Sequence, residues 1–264
     1  MSRAGLALLF FLVAAPVVYA ADGPDLVAQA RQLYNQRLFD AALIAADQAR
    51  LTPAVADLAD LIAARAYLER FRQSAGSADL MNARERLRGV NPQRFDPIER
   101  AEFIVGLGEA LFFEGSYGAA ADVFETVINN GTALPADSRE RVMDWWASAL
   151  DREAWQSPEL PRGRAYQRIL ARMRDELTSR PGSATAAYWL AAAARAEGDL
   201  QAAWSAVEAG WVRGSLASDR GAGLRADLDR LMLDAIVPER ARMLGQPADG
   251  LKLEWEKFKE RWGN

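Results

Sequence analysis

The sequence contains no histidine and no cysteine. Without an imidazole, the chain can form neither a Ser-His catalytic triad nor a histidine metal site. Without a thiol, it has no cysteine nucleophile, no thiolate zinc site and no disulfide bond. Its only lysines, Lys252, Lys257 and Lys259, stand close to the C-terminus, which excludes a Ser-Lys dyad in the body of the chain. Carboxylates, tyrosine, serine, threonine and arginine are the side chains that remain for catalysis.

The chain also has no strong excess of charge of one sign. Its net charge is −4, charged residues make up 26% of it, and no block of basic residues occurs. Proteins that bind nucleic acid carry a basic patch, so we expect no nucleic-acid partner. The carboxylates, Asp122 and Glu125 among them, are scattered over polar helix faces, and their spacing marks no acid–base pair. We therefore expect a protein without enzymatic activity and without a cofactor.

Residues 1–20 have the pattern of a secretory signal peptide. Arg3 supplies a positive charge, Leu6–Ala15 is an uninterrupted apolar run, and Val18-Tyr19-Ala20 places small residues at the third-last and last positions before Ala21. The apolar run is short for a membrane span. We expect cleavage before Ala21 and export to the periplasm or the medium, with an uncleaved N-terminal anchor as the alternative.

The rest of the chain has helical spacing and repeats itself. No useful length alternates with a period of two residues, whereas apolar positions recur every three or four residues over most of the chain. Five segments begin with a small residue and have an apolar or small residue three positions later. They start at Ala30, Ala63, Gly108, Ala147 and Ala191. A small residue at this place lets two helix backbones approach closely. The pattern predicts the crossing point of a helical hairpin in each unit.

Matching second helices and turns accompany three of these segments. Phe39, Tyr117 and Leu200 each begin a segment that has alanine three positions later. The residues before them are turn-like: Asn35-Gln36-Arg37, Glu114-Gly115-Ser116 and Glu197-Gly198-Asp199. Links between the units contain Pro53, Pro92, Pro135 and Pro181, where a helix must stop. The clearest unit, Glu102–Asn130, is therefore predicted to be two short amphipathic helices joined by a tight turn.

This pattern resembles the tetratricopeptide repeat, a helix-turn-helix unit of about 34 residues. The resemblance implies an all-α fold, a right-handed superhelical solenoid of helical hairpins. Only the interval from Ala30 to Ala63 has the family's length, so the other units need longer helices or longer loops, such as Gln73–Ser77 and Gln156–Arg164. We divide the chain into a signal peptide (1–20), a repeat domain of about five degenerate units (21–213) and a C-terminal helical cap region (214–264).

Aromatic residues recur at one place in the first three units. They are Tyr34, Tyr67 and Phe112, with Phe113 beside the last. In tetratricopeptide repeats that side of the first helix faces a groove for peptides or partner helices. The resemblance therefore implies a partner-binding groove lined by Tyr34, Tyr67, Phe112, Phe113, Arg31, Glu109 and Asn35. The alternative is that they pack between neighbouring repeats, as aromatics at helical spacing usually do. Later units hold Asp151 and Arg195 at the aromatic position, so we expect any apolar groove floor in the first half of the chain.

The later units are instead rich in tryptophan, at positions 145, 146, 155, 189, 204 and 211. Trp145 and Trp146 are about 100° apart on a helix, so only one of them can point fully into a core. We expect most of these rings to be core residues. The alternative for an exposed ring in a cell envelope is stacking on a sugar.

The repeat is lost after Trp211. Apolar spacing predicts a helix over Leu224–Ile236, a short helix that starts at Pro238, and a last helix from Leu251 onward. The apolar stripe of the last helix consists of Leu251, Trp255, Phe258 and Trp262. Solenoids need their exposed ends covered, so we expect this helix to fold back as a cap. Docking to a partner and contact with a membrane surface are the alternatives.

These features favour an exported, non-enzymatic scaffold that binds another protein or a peptide in the cell envelope, without membrane contact once the leader is removed. One alternative is a helical protein that binds or processes envelope polysaccharide, which would need a single glutamate acid or a carboxylate pair. The other is a structural spacer without a defined groove.

Overall fold

The computed structural model of the protein describes residues 23–130, 134–217 and 219–262. The predicted signal peptide and its cleavage site lie outside these residues. Within them every regular element is helical and no β-strand occurs. The prediction of an all-α fold is therefore confirmed. None of the helices in these ranges combines the length and the apolar character that crossing a bilayer requires.

The helices follow one another along the chain with short links. They are α1 (Gly23–Asn35), α2 (Phe39–Ala49), α3 (Ala56–Ser74), α4 (Ser77–Gly89), α5 (Pro97–Phe113), α6 (Tyr117–Asn129), α7 (Ala136–Gln156), α8 (Glu159–Ser179), α9 (Ala184–Ala196), α10 (Leu200–Arg213), α11 (Ala222–Leu231), α12 (Val237–Leu244) and α13 (Ala248–Trp262). Short 3₁₀ turns lie at Pro92–Arg94 and Gly214–Leu216.

Consecutive helices pair as hairpins. α1 packs on α2, α3 on α4, α5 on α6, α7 on α8 and α9 on α10. The first helices of neighbouring hairpins also contact one another in a row that runs from α1 through α3, α5 and α7 to α9. Each hairpin thus packs chiefly on its neighbours in the chain, which is the arrangement of a repeat-like helical protein.

The predicted crossing points of the hairpins are buried. Ala30, Ala63, Ala147 and Ala191 are all 0% exposed. At the fifth point, a Cβ built on Gly108 would lie 2.5 Å from Cε1 of Phe124 in α6. Such an approach is far inside van der Waals contact, so only glycine allows α5 and α6 to pack this closely.

The three predicted turns share one backbone conformation. Arg37, Gly115 and Gly198 occupy the left-handed region, with φ of 62°, 82° and 86°. The N–H groups of the residues that follow them donate to carbonyls near the end of the first helix: Leu38 to Leu33 (3.0 Å), Ser116 to Leu111 (2.9 Å) and Asp199 to Ala194 (3.0 Å). This is the Schellman motif, which usually ends a helix with glycine. The first hairpin is unusual because Arg37 occupies the position at which the other two turns have glycine.

The prediction of longer loops in the intermediate units is wrong, and that of longer helices is confirmed. Between α3 and α4 only Ala75 and Gly76 remain outside a helix. α7 continues to Gln156 and α8 begins at Glu159, so most of the predicted 156–164 loop is helical. α7 and α8 have 21 residues each. Pro161 is tolerated in α8 because N–H groups in the first turn of a helix have no intrahelical acceptor.

Pro238 does not begin a separate helix, contrary to the sequence-based prediction. α11, a π-helical turn at Met232–Ile236 and α12 are continuous. The N–H of Val237 donates to the carbonyl of Met232, five residues earlier. Proline has no N–H and its ring clashes with a regular α-helical ladder, and the π turn accommodates it.

The last helix folds back on the solenoid, as expected for a cap. α13 contacts α10 and α12. Trp255 is 0% exposed, its ring lies 5.2 Å from that of Trp211, and its indole N–H donates to Asp229 at 2.7 Å. α9 to α13 share one apolar core. The division of the chain at residues 213 and 214 stays a prediction.

Candidate functional site

A cleft of about 450 Å³ crosses the first helices of four successive hairpins. Its walls come from α1, α3, α5 and α7, which contact one another in a row. We call it the four-helix cleft. Its polar lining consists of Arg31, Tyr34, Asn35, Arg37, Arg65, Glu69, Arg72, Glu102, Glu109, Ser138 and Arg141, and its apolar lining includes Phe39, Ile62, Val105, Val142 and Trp145.

Helical periodicity explains why these side chains share one surface. The contribution of α3 is Ile62, Arg65, Glu69 and Arg72, and that of α5 is Ile98, Glu102, Val105 and Glu109. In each set the residues recur at steps of three or four, which places them on one face of the helix. The other faces of both helices carry the alanine, leucine and phenylalanine side chains that form the core.

A buried ion pair lies in the wall of the cleft. Nη1 of Arg65 donates to Oε2 of Glu109 at 2.5 Å, and the two side chains are 17% and 7% exposed. Burial raises the pKa of the Glu109 carboxyl, and the Arg65 guanidinium counters this only in part. Burial likewise raises the pKa of the Tyr34 hydroxyl, against the influence of Arg65. The pair and the tyrosine therefore lie together in the wall of the cleft.

A second ion pair joins hairpins that are not neighbours. Nη1 of Arg31 in α1 donates to both carboxylate oxygens of Glu102 in α5, at 2.9 Å each. The chain between them contains the whole α3–α4 hairpin. Arg31 and Glu102 both line the four-helix cleft, so this ion pair lies in its wall.

Two arginines of the cleft have no carboxylate partner among the residues that the structure describes. Arg141 donates to the hydroxyl of Ser138 at 3.1 Å, and the side chain of Arg37 has no polar contact there. Both are exposed. Since five arginines and three glutamates line the cleft, its charge is positive although the chain as a whole is acidic. Such a surface attracts anionic groups.

The structure brings four of the predicted site residues together. Arg31, Tyr34, Asn35 and Glu109 all line the four-helix cleft.

The other three predicted residues lie outside its lining. Tyr67, a residue of α3, is half-buried against the apolar core of the first hairpins. The guanidinium of Arg70 lies 5.8 Å from the centre of its ring. The rings of Phe112 and Phe113 pack against Trp145 at 4.9 and 5.5 Å. Tyr34 therefore lines a cleft, whereas Tyr67, Phe112 and Phe113 pack against neighbouring side chains. That any of these residues binds a partner stays a prediction.

Sequence reasoning missed most of the charged lining, namely Arg37, Arg65, Glu69, Arg72, Glu102 and Arg141. The signal was present in the recurrence of charged residues at helical spacing on the first helices, next to apolar positions. It also missed Trp145. Only one of the adjacent tryptophans points fully into the core, as expected: Trp146 is 1% exposed, whereas Trp145 is half-buried and lines the cleft.

A second cleft, of about 370 Å³, lies in the later half of the chain between α7, α8, α9 and the α11–α12 helix. We call it the tryptophan cleft because Trp155 and Trp189 line it. Asp151 and Arg195, which replace the aromatic residues of the earlier units, also contribute to its walls. The later half, where the sequence led us to expect no apolar groove floor, thus has a cavity of its own.

In the parts of the chain that the structure covers, no group of three or more acidic side chains is arranged to hold a metal ion. Comparison of the chain with protein-family models, curated proteins and solved structures gives no match. The resemblance to the tetratricopeptide repeat therefore stays a prediction.

Proposed function

We propose that this protein is an exported, non-enzymatic scaffold that binds a peptide or a segment of another protein in the four-helix cleft. We further propose that its hairpins are tetratricopeptide-like and wind into a right-handed superhelix. The observation that carries the binding proposal is the cleft itself, built from one face of each of four successive first helices.

The arrangement of the cleft suits an extended chain. Fixed hydrogen-bonding groups on rigid helices lose little conformational entropy on binding, so more of the contact energy appears as affinity. The amide of Asn35 can pair with peptide backbone groups, and Val105, Val142 and Trp145 offer apolar contacts for side chains.

The charge of the cleft favours a segment that carries carboxylates. Arg37 and Arg141 are exposed and unpaired within the described residues, so their guanidinium groups are free to receive an anionic partner. A guanidinium binds a carboxylate through two parallel hydrogen bonds, which adds geometric selectivity to the attraction.

Fluorescence anisotropy tests this proposal with three labelled peptides that alternate leucine with glutamate, glutamine or lysine. We expect the glutamate peptide to bind most tightly and its affinity to fall with added salt. Arg37→Gly together with Arg141→Ala should weaken its binding about tenfold or more. Arg88→Ala is the matched control, because Arg88 is an exposed arginine on α4, outside the cleft. Absence of binding by all three peptides, or an equal loss with the Arg88 variant, would contradict the proposal.

Export has an independent test. Expression of the full chain in a bacterial host, followed by intact-mass measurement of the protein in the periplasmic extract and the medium, should give a chain that starts at Ala21. Exported protein that starts at Met1, or protein confined to the cytoplasm, would contradict the proposal. An experimental structure would decide the hand of the superhelix.

A further inference from the structure

The tryptophan cleft contains an aromatic residue that packing does not explain. Trp155 lies near the end of α7 and is 73% exposed, although it lines a cavity. Trp262, which is 53% exposed, is the other exposed tryptophan within the described ranges. An indole ring left in water forgoes a large apolar contact area, so a ring held at the mouth of a cleft marks a surface that a ligand can cover.

A second aromatic wall faces the same cavity from α9. Tyr188 and Trp189 lie edge to face, with ring centres 5.8 Å apart. The indole N–H of Trp189 donates to Asp144 in α7 at 2.8 Å, which fixes the orientation of the ring. The cleft therefore offers one exposed indole and one anchored aromatic pair.

The polar groups of the tryptophan cleft are balanced in charge. Arg195 donates two hydrogen bonds to Glu239, from Nε at 3.0 Å and from Nη2 at 2.5 Å. Asp151 accepts a hydrogen bond from the hydroxyl of Tyr166 at 3.0 Å. Arg162 donates to the backbone carbonyls of Ala154 and Ser157. Two carboxylates and two guanidinium groups thus line the cavity with no net charge.

From this combination we propose that the tryptophan cleft binds a neutral saccharide. A sugar ring has an apolar C–H face that stacks on an aromatic ring and a rim of hydroxyl groups that both donate and accept hydrogen bonds. Trp155 provides the stacking face. Asp151, Glu239 and the two arginines provide acceptors and donors side by side, with lone pairs and N–H groups left after their internal contacts.

Other ligand classes fit the cavity less well. A strongly anionic or cationic ligand would meet equal numbers of like and opposite charges, so electrostatic attraction would add little to its affinity. A purely apolar ligand would cover the carboxylates and guanidinium groups without satisfying them, which is costly. This cleft and the four-helix cleft share no lining residue, so the saccharide proposal does not depend on the peptide-binding proposal.

Isothermal titration calorimetry tests the inference, with cellotetraose, maltotetraose and chitotetraose as the probes. We expect saturable binding of at least one of them, weakened about fivefold to tenfold or more by Trp155→Ala. Trp155→Phe should retain most of the affinity because it keeps an aromatic face. Trp262→Ala is the matched control for loss of an exposed tryptophan, and it should bind like the unmodified protein.

Several outcomes would overturn the inference. They are absence of binding of all three probes, binding unaffected by Trp155→Ala, and a Trp155-dependent protein partner in place of a sugar.

Arg37→Gly separates the two proposals, because it should weaken binding of the acidic peptide and leave the saccharide affinity unchanged. Trp155→Ala should have the opposite pair of effects.

Discussion

Arg31 in α1 and Glu102 in α5 are joined by two hydrogen bonds of 2.9 Å across an intervening hairpin. Their side chains are 33% and 32% exposed, so water and salt screen the pair. Pairs of this kind contribute about 1 kcal/mol or less to stability. This contact joins the first and third hairpins in the wall of the four-helix cleft, so we expect it to limit how far the two hairpins move apart.

The chain contains no cysteine, so spin labels attach only at cysteines that are introduced for the purpose. We expect Glu102→Ala to lower the free energy of unfolding by at most about 1 kcal/mol, yet to widen the distance distribution between spin labels at Gln36→Cys and Ser116→Cys. Both label sites are exposed turn residues that follow α1 and α5. Double electron–electron resonance provides the measurement. Glu85→Ala, on the exposed face of α4, is the control, and identical distributions in the two variants would refute the constraint.

Gly108→Ala tests the close approach of α5 and α6. The added methyl group would lie 2.5 Å from the ring of Phe124, which is itself 0% exposed. We expect a loss of about 2 kcal/mol or more, measured by urea unfolding followed by circular dichroism. Phe124→Leu in the same chain removes the ring edge, so the double variant should lose less than the sum of the single variants. Strict additivity of the two losses would argue against this contact.

Arg37→Gly is expected to stabilise the protein. Arg37 has φ of 62°, where glycine carries no steric penalty and arginine does. The gain should be about 1 kcal/mol by thermal or urea unfolding. Gly198→Ala, at the equivalent turn with φ of 86°, should lose a similar amount. A stabilising Arg37→Gly variant that also binds acidic peptide less well would separate the role of this residue in the cleft from its role in the fold.

Glu176 should make the free energy of unfolding depend on pH in the acidic range. Its carboxylate is 3% exposed and accepts hydrogen bonds from Arg139 at 2.8 and 3.1 Å, while Arg139 also donates to the carbonyl of Ile128. Burial acts to raise the pKa of Glu176, but hydrogen bonds and charge from Arg139, together with Arg180, outweigh it and hold the pKa below its usual value. The unfolded chain therefore takes up this proton at higher pH than the folded one.

The sign of this effect follows from proton linkage. The contribution of Glu176 is fully present above the pKa of an unfolded glutamate, and it is lost as pH falls through the lowered pKa of the folded state. We expect Glu176→Gln to cost about 3 kcal/mol at pH 7 and to flatten the fall in stability between neutral and acidic pH. Urea unfolding at a series of pH values measures both. Glu85→Gln, at an exposed position on α4, should change neither.

Trp255 is expected to be the main anchor of the C-terminal cap. It is fully buried against Trp211, and Lys259 lies beside both rings while donating to Asp229 at 2.7 Å. Trp255→Ala should cost about 3 to 5 kcal/mol in thermal or urea unfolding, because it opens a large cavity between α13 and α10. Trp262→Ala, at the half-exposed end of the same helix, should cost much less. Equal effects of the two variants would mean that α13 does not serve as a cap.

Local sequence determines much of this fold. The spacing of apolar residues identifies most of the helices, since burial of one face requires the helical period. Small residues such as Ala30 and Gly108 mark where two helices cross, and glycine at 115 and 198 marks the turns. These features depend on neighbours within one hairpin, which is why they could be predicted. Local residue chemistry was insufficient at Pro238, where a π-helical turn lets the helix continue through a proline.

The helical spacing of charged residues marks candidates for the site, and contacts between hairpins decide which of them form it. The charged side chains that line the cleft, such as Arg65 and Glu109, are arginines and glutamates like those that face solvent elsewhere. Only the packing of each helix on its neighbours decides which of them meet. Tyr34 thereby enters the four-helix cleft, whereas Tyr67 and Phe112 at the same position of later units pack against neighbouring side chains. The sequence alone determined the helical hairpins, because their packing is short-range, and the tertiary structure alone decided the two clefts, because each is assembled from side chains of several hairpins.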